Sequence, residues 1–148
     1  MIARLAAWIV GVLVVAVLVL LSAPIDPMGR IAGTRLGGQL AADQDPIWTD
    51  YGRRQIAVET RTAYGIRHSV TTTSWVADGS LYVPCARCDG KRWPANVARD
   101  NRVRLKIDGE IYRRHAIRIT DPRQRARILT AVGRDPASPT AVFRMEAR

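Results

Sequence analysis

The sequence predicts a mainly β domain, a small antiparallel barrel with helices at its rim, carried behind one N-terminal transmembrane helix. Three observations predict it. Directly after Arg4 the chain has 21 uncharged residues, Leu5 to Ile25. Two Asp-Gly pairs, Asp78-Gly79 and Asp108-Gly109, each stand between strand-like runs. Beyond that run, helical signals are short and confined to the neighbourhood of Pro94 and the stretch after Asp121. Strands that turn back on one another with a few helices beside them point to a barrel.

The uncharged run comes first in the chain. At 1.5 Å per residue it makes roughly 31 Å of helix, the thickness of a bilayer core. Trp8 lies near one end, where an amphipathic ring suits the interface. A cleaved signal peptide has a shorter apolar part and a small-residue cut site. Here 17 apolar residues run unbroken from Leu5 to Leu21, and Pro24 follows directly on Ala23. The expectation is an uncleaved anchor and a single-pass protein of the cell membrane. Arg4 and the terminal amine balance Arg30 and Arg35 across the run, so the positive-inside rule barely discriminates. A short tail without a domain of its own most simply stays inside, which puts the barrel on the extracytoplasmic side.

The expected organisation is an anchor over residues 1–25, a connector over 26–50 and a barrel over 51–148. Gly29, Gly33, Gly37 and Gly38 make the connector read as loose, and Asp43 to Pro46 reads as a turn. The first strand runs from Gln55 to Arg61, with Ile56, Val58 and Thr60 on one face. His68 to Ala77 is β-branched, and Asp78-Gly79 turns it into Ser80 to Val83. Arg102 to Ile107 alternates Val103, Leu105 and Ile107 with Arg102, Arg104 and Lys106, and Asp108-Gly109 turns it into Glu110 to Thr120. Asp-Gly at a two-residue hairpin supplies the positive φ that a type I′ turn requires. A short helix is expected over Trp93 to Asp100, with Pro94 in its first turn. A longer one starts at the Asp121-Pro122 cap and ends before Gly133, and Thr140 to Glu146 forms a last strand.

The net charge of +10 is unevenly distributed. Residues 1–50 carry three arginines and four acids; residues 51–148 carry 20 lysines and arginines against nine acids. The basic character belongs to the barrel, and it suits a phosphate-bearing ligand or anionic headgroups. Nucleic acid is disfavoured, because stacking aromatics are not interleaved along the strands. The outward face of Arg102 to Lys106 reads as solvated.

Classical hydrolase chemistry is disfavoured, because the sequence has no H-E-x-x-H motif, no Ser-His-Asp order and no paired carboxylates. Cys85 and Cys88 are the two cysteines, spaced C-x-x-C in a strand-to-turn context. Zinc needs more ligands than they supply, and His68 and His115 are not at finger spacing, so no metal site is expected. A local disulfide and two inert thiols remain the alternatives.

Several stretches carry a family resemblance. They are Gly65-Ile66-Arg67-His68-Ser69-Val70-Thr71, Trp75 to Val83, Lys91-Arg92-Trp93-Pro94-Ala95-Asn96-Val97, and Asp100 to Leu105. From Ile56 to Asp121 the chain resembles the pyridoxamine 5′-phosphate oxidase-like split-barrel superfamily, above all its uncharacterised and deazaflavin-dependent nitroreductase-like branches. Asn101 stands where that pattern usually has proline. The resemblance implies a split β-barrel that binds FMN or a deazaflavin in a groove beside the sheet, and a homodimer. It implies cofactor-binding roles for Arg67, His68, Thr71, Lys91, Arg92 and Asn96. A phosphate suits Lys91 and Arg92 before a short helix, because it carries nearly two charges and several acceptor oxygens. It does not name a catalytic side chain.

Two functions follow as expectations. One is a membrane-tethered oxidoreductase acting on a quinone-like or other lipophilic acceptor, with the cofactor carrying the hydride chemistry. The other is a non-enzymatic split barrel, a binding or interaction module held at the membrane.

Overall fold

A computed structural model describes residues 2–42 and 46–148, with the side chains of residues 2–7 and 20–22 outside the description. The elements in order are α1 (Ile2–Ser22), β1 (Gln39–Leu40), a 3-10 turn (Trp48–Asp50), β2 (Arg54–Arg61), β3 (Arg67–Ala77), β4 (Ser80–Cys85), α2 (Arg92–Arg99), β5 (Arg102–Ile107), β6 (Glu110–Arg118), α3 (Pro122–Ala131) and β7 (Ala141–Ala147). The expected turn at Asp43 to Pro46 lies largely outside the described residues.

Six strands form a closed ring. Their order is β6-β5-β2-β3-β4-β7, and a β6–β7 pairing completes the circle. Closure removes the exposed edges of an open sheet. β1 adds to β6 in parallel through Gln39 and Leu40. Both hairpins form as the Asp-Gly pairs predict. Asp78 and Gly79 take φ of 48° and 70°, and Asp108 and Gly109 take 51° and 89°. The turns fix register: Ala77 pairs with Ser80, and Ile107 with Glu110.

Alternation along the strands fills the barrel. Ile56 and Val58 of β2, Leu81 and Val83 of β4, Val103, Leu105 and Ile107 of β5, and Phe143 and Met145 of β7 meet inside, with Trp93 and Val97 of α2 closing over them. A second cluster lies outside, where Ile128 and Leu129 of α3 pack on Trp75, Tyr82 and Val142. The cap of α3 is the expected one: the Asp121 carboxylate accepts from the Arg123 and Gln124 amides.

The glycine-rich stretch after α1 is bound to the barrel. Gly33 forms an antiparallel bridge with Ser69 of β3, through amide–carbonyl bonds of 2.9 and 3.0 Å. Leu36 is 1% exposed. Asp26 holds Lys106 of β5 in an ion pair, and its other oxygen accepts from the Gly37 amide at 3.0 Å. The face of β5 expected to be solvated is therefore partly covered. Glycine serves here for close approach: a Cβ on Gly33 would lie 2.6 Å from Ser69 Oγ and 2.7 Å from the Pro27 nitrogen.

The described side chains of α1, Trp8 to Val19, are exposed. Among the described residues no helix is long and apolar enough to cross a membrane. The span expected over 5–25 includes side chains outside the description.

Cys85 and Cys88 are joined by a disulfide. It closes a small loop between β4 and α2, and loop-closure entropy makes such a bridge worth about 2 kcal/mol. The double variant Cys85→Ala, Cys88→Ala is expected to lose about that much stability in urea unfolding, matched by wild type under reducing conditions.

Candidate functional site

The six candidate residues come together on one side of the barrel. β3 supplies Arg67, His68 and Thr71, the start of α2 supplies Lys91 and Arg92, and its middle supplies Asn96. The segment after α1 supplies the facing wall. Two grooves share Ala32, His68 and Arg92. One, of about 400 Å³, is lined also by Arg30, Ile31, Val70, Thr71, Lys91 and Trp93. The other, of about 590 Å³, is lined also by Thr62, Tyr64, Ile66, Arg67, Asn96 and Arg99. Every charged residue lining either groove is basic.

The candidates differ in how free they are. Asn96 is buried, and its amide donates to Thr60 Oγ1 at 2.9 Å while its carbonyl accepts from Arg99. It ties α2 to β2. Lys91 donates from Nζ to the Ala86 carbonyl at 2.7 Å and remains exposed. Thr71 Oγ1 reaches the Pro27 carbonyl at 3.5 Å, a long bond. Arg67 is ion-paired with Glu59. Arg92 makes no ion pair or side-chain hydrogen bond among the described residues. His68 Nδ1 and Thr62 Oγ1 are buried and unpartnered among the described residues, an arrangement that leaves hydrogen-bonding capacity for another molecule.

α2 starts beside these groups. Lys91 occupies its N-cap position, and no side chain caps it. The open amides of a helix start favour negative charge. Among the described residues the arrangement therefore offers an unpaired guanidinium, an exposed ammonium and two unsatisfied polar atoms next to a helix start. Ile31, Val70, Pro84 and Trp93 give the smaller groove an apolar surface.

Sequence reasoning missed Glu59. It is 3% exposed and accepts from the Leu36 amide at 2.8 Å, from Arg104 at 2.8 Å and from Arg67. Burial pushes the Arg104 guanidinium below its ordinary pKa, and the Glu59 carboxylate opposes that. On alternation alone Glu59 belongs to the outer face. Among the nine acids of residues 51–148 it is the one placed mid-strand in β2, a usable signal in a chain this basic.

No protein-family model matches the chain, and no curated protein does. Solved structures of other proteins share its fold. General stress protein 26 from Bacillus anthracis str. Sterne aligns with a TM-score of 0.50 and 16% identity, over 65% of this chain and 81% of that one. The conserved hypothetical protein Rv2991 from Mycobacterium tuberculosis aligns with a TM-score of 0.57 and 18% identity, over 74% and 86%. Both are split-barrel proteins, and at these identities the likeness is one of fold. The closed six-strand ring with its flanking helices is a split β-barrel.

Proposed function

We propose that the barrel holds a phosphate-bearing, flavin-type cofactor, FMN or a deazaflavin, at the junction of the two grooves. The carrying observation is the buried His68 Nδ1, unpartnered among the described residues, between grooves whose charged lining is entirely basic. The residues fit such a group. Arg92 and Lys91 would take the phosphate together with the start of α2. His68 and Thr71 would meet polar edges of the ligand. Arg67 and Asn96 would act by holding β3 and α2 in place, since both are bonded within the chain. When bound, such a cofactor supplies hydride or electron transfer.

The reading extends to an oxidoreductase tethered by α1 at the cell membrane and acting on a quinone-like or other lipophilic acceptor. The uncharged run of 21 residues supports the tether. The Cys85–Cys88 disulfide supports an extracytoplasmic barrel, because such bonds persist in oxidising compartments. The same reading includes a homodimer.

Titration of the full chain in detergent with FMN, riboflavin and a deazaflavin cofactor tests the proposal. FMN or the deazaflavin is expected to bind at micromolar concentration, and riboflavin, lacking the phosphate, about tenfold more weakly. Arg92→Ala is expected to weaken FMN binding by a similar factor of about ten. Failure of both cofactors to bind removes the proposal.

A second reading, a non-enzymatic binding module, is favoured by the internal bonds of Arg67, Lys91 and Asn96, which leave the groove partly self-satisfied. It predicts that neither cofactor binds while the fold is intact.

A further inference from the structure

Among the described residues outside α1, five of the seven exposed large apolar side chains lie in two neighbouring segments where α1 joins the barrel, the other two being Leu40 and Ile47. Ile25, Met28 and Ile31 follow α1 directly and are 48, 75 and 71% exposed. Across the larger groove stands the β2–β3 turn, closed by bonds from the Thr62 amide to the Ile66 carbonyl and from the Gly65 amide to the Thr62 carbonyl. Its Tyr64 and Ile66 are 89 and 55% exposed. The Gly33–Ser69 bridge fixes one segment beside the other. Ala32, Gly33, Tyr64 and Ile66 line a common groove with Arg67, Arg92 and Arg99, and Arg30 lies on the adjoining one.

The composition is specific. Apolar tips, an amphipathic tyrosine and a surround of arginines match the layered chemistry of an anionic bilayer surface. The nearby acids are already paired: Asp26 with Lys106, and Glu59 with Arg67 and Arg104. Continuity points to the same partner. The Ala23 amide still bonds to the Val19 carbonyl of α1, so the chain passes from the helix into the apolar turn with little intervening length.

We propose that the Met28–Ile31 turn and the Thr62–Ile66 turn form a second membrane contact. It lays the barrel on an anionic leaflet with the groove mouth at the headgroup layer, where a lipophilic or phosphate-bearing molecule would meet it. The inference rests on the reading of α1 as an anchor.

Hydrogen exchange of the full chain tests it in nanodiscs of phosphatidylglycerol with phosphatidylcholine, in phosphatidylcholine alone and in detergent. In anionic discs, residues 28–31 and 62–66 are expected to exchange about tenfold more slowly than in detergent, an effect reduced at about half-molar salt. The double variant Tyr64→Asp, Ile66→Asp is expected to abolish that slowing at both turns while α1 stays protected. Unchanged exchange at both turns with α1 protected overturns the second contact and leaves the anchor standing. Free exchange of α1 in discs overturns the anchor, and slow turns in the same sample then retain the surface as a peripheral lipid site. Slowing that follows protein concentration and ignores lipid charge marks a second copy of the chain, and overturns the proposal.

Discussion

Glu59→Ala is expected to destabilise the domain by about 3 kcal/mol, the low end of what breaking a buried ion pair costs. The carboxylate joins three parts of the molecule. Glu59 sits on β2 opposite Arg104 of β5 and opposite Ser69 of β3, one strand on each side. Arg67 of β3 reaches it diagonally, and the Leu36 amide reaches it from the segment after α1. Removing it leaves Arg104, whose side chain is 20% exposed, facing Arg67 with no anion between them. The burial that already depresses the Arg104 pKa then acts unopposed. The cost stays at the low end because Arg67, at 33% exposure, can turn to water. Glu59→Gln keeps the shape and an acceptor for Leu36, and about 1–2 kcal/mol is expected to be lost. Urea unfolding gives both values. Hydrogen exchange at Leu36 gives the second readout: its amide is expected to exchange much faster in Glu59→Ala. Unchanged exchange there would show that the carboxylate does not hold the segment. The groove should respond as well, since Arg30, Ile31 and Ala32 of that segment form one of its walls.

Local chemistry made most of the barrel legible. Asp78-Gly79 and Asp108-Gly109 specify their hairpins because each needs two successive residues at positive φ, a property of the pair itself. Asp121-Pro122 specifies the start of α3 for a similar reason, since cap and ring act on the adjoining amides. Val103, Leu105 and Ile107 point inward by strand geometry alone. What was illegible depends on one segment lying across the sheet. Gly33 looks like a loosener in sequence, yet it acts as a point of close approach to Ser69, which is a tertiary property. Arg104 and Lys106 look solvated because alternation says which face a residue takes but not what covers that face. The candidate site divides on the same line. The family resemblance singled out His68, Thr71, Lys91 and Arg92, and the fold sets them beside one groove. The bonds that commit Arg67 to Glu59 and Asn96 to Thr60 cross between strands and helix, at distances no spacing along the chain encodes.

Trp93→Ala is expected to cost about 3–5 kcal/mol, the usual range for deleting a large aromatic from a core. Trp93 is 4% exposed, and its ring packs on Phe143 of β7 with centroids 4.8 Å apart. It thereby fixes α2 on the barrel wall. The same side chain lines the smaller groove beside Lys91 and Arg92. Its loss should thus act twice, as a cavity in the core and as freedom for the helix start that presents the two cations. Trp93→Phe separates the effects. It keeps an aromatic partner for Phe143, so a stability loss of about 1–2 kcal/mol is expected. A cofactor held by Arg92 and Lys91 should then bind within a few-fold of wild type, because the helix start remains in place. If Trp93→Phe keeps its stability but loses binding as badly as Trp93→Ala, the indole ring itself touches the ligand. The groove's apolar wall, rather than its cations alone, would then carry recognition. Thermal unfolding together with an FMN titration of the two variants distinguishes these outcomes.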